Sequence, residues 1–328
     1  MSARHAIAAA LAALICAAFA GSALAAQPWR APRTVYGQPD LQGFWTNASL
    51  TKLERAPATP LTLATPAEEA AYERRMIAAQ AQAESGGLGQ GASEWHPAFR
   101  MARIAGRLRT SFIVSPADGR LPYRPQALAR FKALDAAAQL ALGDGPEDRT
   151  LGDRCLIGGF GSSSPPMMAP AVSAVKQIVQ TGSRTGGEVA ILSEMNHDVR
   201  IVRLGGHHPP PNVRLWMGDS IGHWEKATLV VETTNFHPQE QMHGILLKSP
   251  DARVTERFTR VAKDQILYEV EVDDPAVYTV PWRAQMPLNA DSGPIYEFAC
   301  HEGNYGLTDI LAAARRADAQ ARAGTAGP

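Results

Sequence analysis

The chain has 328 residues, with 32 Lys and Arg against 32 Asp and Glu, so its formal net charge is zero. Proteins that bind nucleic acid need a strongly basic face, and this sequence contains no block of Lys and Arg that could supply one. Nucleic acid is therefore excluded as an expected partner. The 24 Pro and 28 Gly predict that much of the chain is loop.

The first 25 residues have the features of a secretory signal peptide. Arg4 supplies a positive charge, an apolar Ala-rich run follows at residues 7–19, and the small residues Ala23 and Ala25 fit a cleavage site. Cleavage after Ala25 predicts a periplasmic or secreted protein of about 300 residues. No later run in the sequence is long and apolar enough to predict a membrane span.

Removal of the signal peptide takes away Cys16 and leaves two cysteines, Cys155 and Cys300. An oxidising compartment and a count of two favour a disulfide between them. Two buried free thiols are the alternative.

The first half of the sequence predicts an extended arm followed by helices. Residues 26–60 contain Pro at several positions and include Phe44 and Trp45, which are expected to be buried anchors. The run Thr65-Pro66-Ala67-Glu68 fits a capping box, which predicts a helix to about residue 84. A second helix is predicted between Pro125 and Gly143.

From Lys176 onward the apolar residues recur with a period of two, as they do in strands with one buried face. Short turns and the lack of intervening helical patterns favour an antiparallel meander, and its closure into a barrel would remove the exposed edges. The predicted strands are residues 177–181, 189–194, 199–204, 228–236, 254–261, 266–273, 278–286 and 295–300.

The predicted organisation therefore has four parts. A signal peptide at residues 1–25 precedes an arm and helical segments at 26–175, which pack on the barrel. The antiparallel barrel occupies residues 176–306. A helix that begins near residue 307 and a disordered tail from about residue 320 complete the chain at 307–328.

Several motifs distribute along the mature chain. They include GQPDLQGFWTN at residues 37–47, EMNHDVR at 194–200 and YEFACHEGNYG at 296–306, with others at 114–122, 216–220 and 228–236. By these motifs the chain resembles a large family of uncharacterised exported proteins from proteobacteria and acidobacteria. The resemblance covers nearly the whole mature chain and implies export and a single-domain body.

The run at residues 295–305 concentrates chemically reactive side chains near the end of the chain. His301 could act as a general acid or base with Glu302 or Glu297 as its partner, since a histidine titrates near neutral pH. Cys300 lies next to it, but a disulfide would prevent this sulfur from acting as a nucleophile. The alternative is a polar network that ties this run to the body of the protein.

A second cluster combines Glu194, His197 and Arg200 within seven residues. These are the parts of an acid–base or anion-binding site. A solvated hairpin end that carries an Asp–Arg pair is the alternative. The adjacent His207 and His208 lack the spacing of a metal site, so no metal and no cofactor are expected.

The sequence thus predicts a mainly β protein, an antiparallel lipocalin-like barrel with an N-terminal extended arm and a few peripheral helices. A barrel of about eight strands can hold one small ligand. The expected function is a cofactor-independent periplasmic enzyme that performs lyase-like acid–base chemistry, such as elimination or C–C cleavage, on a small apolar or aromatic compound. The alternatives are a non-catalytic periplasmic protein that binds a small ligand, and a structural protein of the envelope.

A small molecule is the expected partner, and a homodimer is possible. The expected site residues divide into a catalytic group and a substrate-binding group. The expected catalytic residues are His301, His197, Glu194 and Glu302. The expected substrate-binding residues are Arg200, Arg154, Arg257, Asn304, Tyr296, Tyr305 and Trp216.

Overall fold

The computed structural model describes residues 29–85, 100–140, 145–157, 163–168, 174–183, 186–243 and 246–325. The predicted signal peptide at residues 1–25, the Gly-rich run at 86–91 and the predicted helix stop at Gly143 lie outside these residues. Residues 31–328 group as one compact unit.

Over the described residues the structure is mainly β, with three α-helices. The helices are Pro66–Ser85 (α1), Pro125–Leu140 (α2) and Tyr305–Thr325 (α3). The strands are Gly43–Thr46 (β1), Arg103–Ile104 (β2), Arg107–Leu108 (β3), Ile113–Ser115 (β4), Val175–Ser183 (β5), Gly186–Ser193 (β6), Val199–Leu204 (β7), Asp219–Glu225 (β8), Thr228–Thr234 (β9), Met242–His243 (β10), Leu246–Leu247 (β11), Arg253–Ala262 (β12), Gln265–Asp273 (β13) and Trp282–Ala290 (β14).

Nine strands close into a barrel, which confirms the predicted fold class. Their order is β1-β5-β6-β7-β8-β9-β12-β13-β14, and β14 pairs back onto β1. The arm therefore contributes a strand of its own, because β1 lies between β5 and β14. Strand β4 pairs with another part of β14.

One pair of neighbours departs from the predicted antiparallel meander. Strands β7 and β8 run parallel, so residues 205–218 cross from one end of the barrel to the other. The sequence did not predict β8, because Gly222 interrupts its apolar pattern. A Cβ at Gly222 would lie 2.8 Å from a Val202 methyl carbon, so glycine permits the close approach of the two strands.

Other strand predictions need correction near the C-terminus. The strand predicted at residues 278–286 lies at Trp282–Ala290, and the run predicted as a strand at 295–300 is irregular. The backbone N–H of Phe298 in that run binds a histidine side chain instead of a neighbouring strand. The tail expected to be disordered from residue 320 is helical to Thr325, as its high Ala content allows.

The predicted start of α1 is confirmed by its hydrogen bonds. The Glu68 N–H donates to Thr65 Oγ1 over 3.2 Å, and the Thr65 N–H donates to Glu68 Oε2 over 3.0 Å. Two backbone donors at the helix start are thereby satisfied, as in a capping box. None of the helices in the described part of the chain combines the length and hydropathy that a membrane span requires.

The inner face of the barrel is mostly apolar but contains charged residues. On β5, Lys176, Ile178 and Gln180 alternate inward and are all buried. On β7 and β12, Arg200 and Glu256 occupy inward positions beside apolar neighbours. This interior polar group positions the candidate site.

The two aromatic anchors predicted in the arm differ in their surroundings. Trp45 is 2% exposed, donates its indole N–H to the Leu41 carbonyl over 2.9 Å and lies under the guanidinium of Arg260. Phe44 faces outward, is only half-buried and packs over Gly293. Only Trp45 is a core residue.

Replacement of Trp45 by alanine is expected to lower the free energy of unfolding by about 3–5 kcal/mol, because it empties a packed position next to β5 and β14. Chemical denaturation measures this loss. Phe44→Ala is the matched control and should cost clearly less. Equal losses for both variants would contradict the assignment of Trp45 to the core.

Candidate functional site

The structure brings the two sequence clusters into contact at one end of the barrel. His197 Nε2 accepts a hydrogen bond of 3.0 Å from the backbone N–H of Phe298. Asn196 and His197 both have positive φ, near 59° and 54°, a conformation that few non-glycine residues adopt and that recurs at functional sites. Because Nε2 accepts this hydrogen bond, Nδ1 is the ring nitrogen of His197 that remains as a donor.

The predicted disulfide between Cys155 and Cys300 is present, with a Cα–Cα distance of 5.8 Å. Cys300 is therefore not a nucleophile. Asn304 supports the same junction, because its Nδ2 donates to the Asp153 carbonyl over 2.6 Å and its Oδ1 accepts from Leu307 N–H as a cap of α3. The role that the structure assigns to Asn304 is thus structural.

The remaining candidates of this run lie at the surface. His301 and Glu302 are exposed on the turn that follows Cys300. Tyr296 and Tyr305 are 68% and 75% exposed. These positions place the four side chains outside the barrel interior.

Of the three other predicted binding residues, Arg257 and Trp216 lie apart from the two clusters, whereas Arg154 precedes Cys155, which is bonded to Cys300. Arg257 forms an ion pair with Glu225, and Trp216 stacks on the His237 ring at 4.0 Å. Arg154 is partly buried in the turn before Cys155. The structure does not join Arg257 and Trp216 to the site at the barrel end.

Arg200 belongs to a network in the barrel interior. Its two terminal nitrogens bind the carboxylate of Glu256, one of them at 3.0 Å from Oε1. Tyr268 donates to the same Oε1 over 2.8 Å and accepts the N–H of Met167 over 3.0 Å. Burial, followed by the charge of Glu256, holds the pKa of Tyr268 well above its usual value, so this hydroxyl stays a donor.

Lys176 is the site residue that sequence reasoning missed. It is 1% exposed, and its Nζ has no hydrogen-bond partner within the described parts of the chain. Burial lowers the pKa of Lys176 to about 8, and the nearby charge of Arg200 lowers it too, while Glu194 acts in the opposite direction. The available signal was its place two residues before the buried Ile178, since alternate strand residues share a face.

Glu194 lies beside Lys176 at the barrel rim. Its backbone N–H donates to the Val175 carbonyl over 3.0 Å, which holds it next to the start of β5. Burial raises the pKa of Glu194, and the charge of Asp291 raises it further, while His197 and Lys176 oppose them. A carboxyl group with a raised pKa and an amine with a lowered pKa therefore interact through their charges at this rim, and shifts of this kind are typical of functional sites.

A separate open cleft of about 490 Å³ lies between the arm and strands β6, β7 and β8. Tyr36, His223 and Trp224 give it an aromatic lining, and Lys176 is not among its residues. A flat compound could pack against these rings. This cleft offers a surface for binding rather than an acid–base pair.

Comparison with known protein families, curated proteins and solved structures gives no match. Over the residues that the structure describes, no three His, Cys, Asp or Glu side chains come together as metal ligands.

Replacement of Lys176 by methionine is expected to raise the free energy of unfolding at pH 7 by about 1–3 kcal/mol, because it removes a buried charge that has no hydrogen-bond partner among the described residues. The folded protein binds this proton less tightly than the unfolded chain does. In the wild type, the charged form of Lys176 therefore lowers the free energy of unfolding by its full amount below about pH 8. This loss becomes smaller as the pH rises toward 10.5.

Chemical denaturation between pH 7 and pH 10.5 tests this expectation. The gap between Lys176→Met and the wild type should narrow as the pH rises. Lys132→Met, at an exposed position on α2, is the control and should show no such trend. A variant that is less stable than the wild type throughout would refute the prediction.

Replacement of Glu256 by glutamine is expected to lower the free energy of unfolding by about 3–5 kcal/mol, since Arg200 would keep a buried charge without a counterion. Glu232→Gln, which removes the partly exposed partner of Arg253, should cost several-fold less. The double variant Arg200→Met, Glu256→Leu should recover much of the loss. Similar effects for Glu256 and Glu232 would contradict the importance of the interior pair.

Proposed function

We propose that the chain is an exported, cofactor-independent enzyme that performs acid–base chemistry on a small apolar or aromatic compound. The proposal places the reaction at the barrel end where Glu194, His197 and Lys176 meet. The proposal includes export, as the resemblance to exported bacterial proteins implies. Residues 1–25 would then be the signal peptide of this chain. The observation that carries it is the buried amine of Lys176, without a hydrogen-bond partner in the described chain, beside the carboxylate of Glu194.

Glu194 is the proposed proton carrier. Its raised pKa and its place at the rim would let it take a proton from a C–H bond that is acidified by a neighbouring carbonyl. The electron pair of that bond would form an enolate, whose negative oxygen the positive charges of Lys176 and Arg200 would stabilise. Departure of a leaving group from the next carbon would complete an elimination.

His197 is the proposed second group of the site. Its Nε2 accepts from the Phe298 N–H, so Nδ1–H could donate a hydrogen bond to a leaving group that departs as an anion. The hydrogen bond from the Phe298 N–H holds the ring of His197. In this proposal the exposed His301 and Glu302 contribute to the surface of the site and not to its interior.

A second candidate function is non-catalytic binding of a small ligand. It is favoured by the cleft lined by Tyr36, His223 and Trp224, which has aromatic surface but lacks the Glu194 and Lys176 pair. A carrier needs such a surface and no proton carrier.

Replacement of Glu194 by glutamine is expected to lower turnover by roughly a hundredfold or more while leaving the fold intact, because it removes the proton acceptor. Turnover is measured on a panel of small compounds that carry a leaving group beside an acidic C–H. Glu188→Gln, at an exposed position on β6, is the matched control.

His301→Gln separates the two possible positions of the proton carrier. A loss of turnover in this variant as large as that of Glu194→Gln would move the chemistry to the exposed turn. If the wild type binds panel compounds without turnover, the result would favour a non-catalytic ligand-binding protein over an enzyme.

A further inference from the structure

The barrel end contains more buried positive charge than negative charge. Lys176 and Arg200 are 1% and 3% exposed, and Glu256 is the fully buried carboxylate that pairs with Arg200. Glu194 is partly exposed at the rim and interacts with Lys176 only through its charge. One carboxylate inside the barrel thus faces two cations.

Each of these cations also has a donor that remains unused. Within the described residues, Lys176 Nζ and Arg200 Nε are both buried and have no hydrogen-bond partner. An ammonium group and a guanidinium have only donors, so both atoms can be satisfied only by an acceptor. Buried donors without an acceptor are unfavourable, and an anionic acceptor compensates both the charge and the missing hydrogen bonds.

The strand register places the two side chains on neighbouring rungs of the inner face. Arg200 pairs with Ile191, which pairs with Ile178, and Lys176 lies two residues before Ile178 on β5. Trp45 on β1 is the partner of Lys176 in register. Buried Ile178, Ile191 and Trp45 therefore give this charged pair an apolar surrounding.

We propose that Lys176 and Arg200 bind the carboxylate group of a small organic acid whose apolar body lies against the inner face of the barrel. This inference rests on the proposed function and names its substrate class. A single carboxylate matches the one uncompensated positive charge, whereas a dianion would leave a negative charge in excess. The two oxygens of a carboxylate can accept from the two donors, Lys176 Nζ and Arg200 Nε, whereas a spherical halide lacks two separate acceptor atoms.

Titration calorimetry in a chloride-free buffer at pH 7 tests the proposal, with benzoate as the probe. Benzoate should bind the full-length mature protein with one-to-one stoichiometry. Benzamide, which has the same shape and no charge, and chloride should each bind at least about tenfold more weakly. Binding of benzamide or chloride as tight as that of benzoate would overturn the carboxylate assignment.

Lys176→Met locates the bound anion. This variant is expected to fold, because methionine is apolar and of similar length, and its dissociation constant for benzoate should rise at least about tenfold. Lys132→Met, exposed on α2, should bind benzoate as the wild type does. Unchanged benzoate binding by Lys176→Met, or no binding by the wild type, would overturn the site.

The two proposals can fail separately. Saturable benzoate binding that depends on Lys176, together with no turnover on any acid, would leave the anion site in place and remove the enzymatic function. Turnover of neutral compounds that depends on Glu194, without benzoate binding, would support the enzyme and overturn the anion site.

Discussion

The ion pair between Arg200 and Glu256 is the interaction on which the interior of the barrel depends. It joins β7 to β12, which are separated in the barrel by β8 and β9, so it bridges the interior rather than two neighbouring strands. Tyr268 adds β13 to the network and links it to Met167. Inside a medium of low dielectric such a network is strong when complete and costly when one member is lost.

The same network holds residues 163–168 against the barrel, and a second ion pair holds the other end of this segment. Lys248 Nζ donates to Glu240 over 2.8 Å, to Ser164 Oγ over 3.0 Å and to the Pro165 carbonyl, and it lies over the Phe236 ring. A segment of Ser, Pro and Met is thereby buried completely, although its composition is typical of an exposed loop.

The sequence predicted what depends on local patterns, and it missed what depends on partners distant in sequence. Alternating apolar residues and a capping box located most barrel strands and α1, since both arise within a few residues. Strand β8 was not predicted, because the reason for a glycine at position 222 is its close contact with Val202, which is distant in sequence. Charged residues on a strand are usually solvent-facing, so the alternation that places Lys176 and Glu256 on the inner face was outweighed by their charge.

The two buried lysines show that this chain can satisfy an ammonium group completely. Lys248 has a carboxylate, a hydroxyl, a carbonyl and an aromatic ring around it, whereas Lys176 is equally buried and has no hydrogen-bond partner in the described chain. Stability alone would favour an apolar residue at position 176. A local cost in stability is common where a group must remain available to a ligand. Lys176 interacts with Glu194, whose pKa is raised by burial, and such shifts are frequent at functional sites. The contrast between the two lysines therefore supports the proposal that Lys176 belongs to a binding site, whereas Lys248 belongs to a structural ion pair.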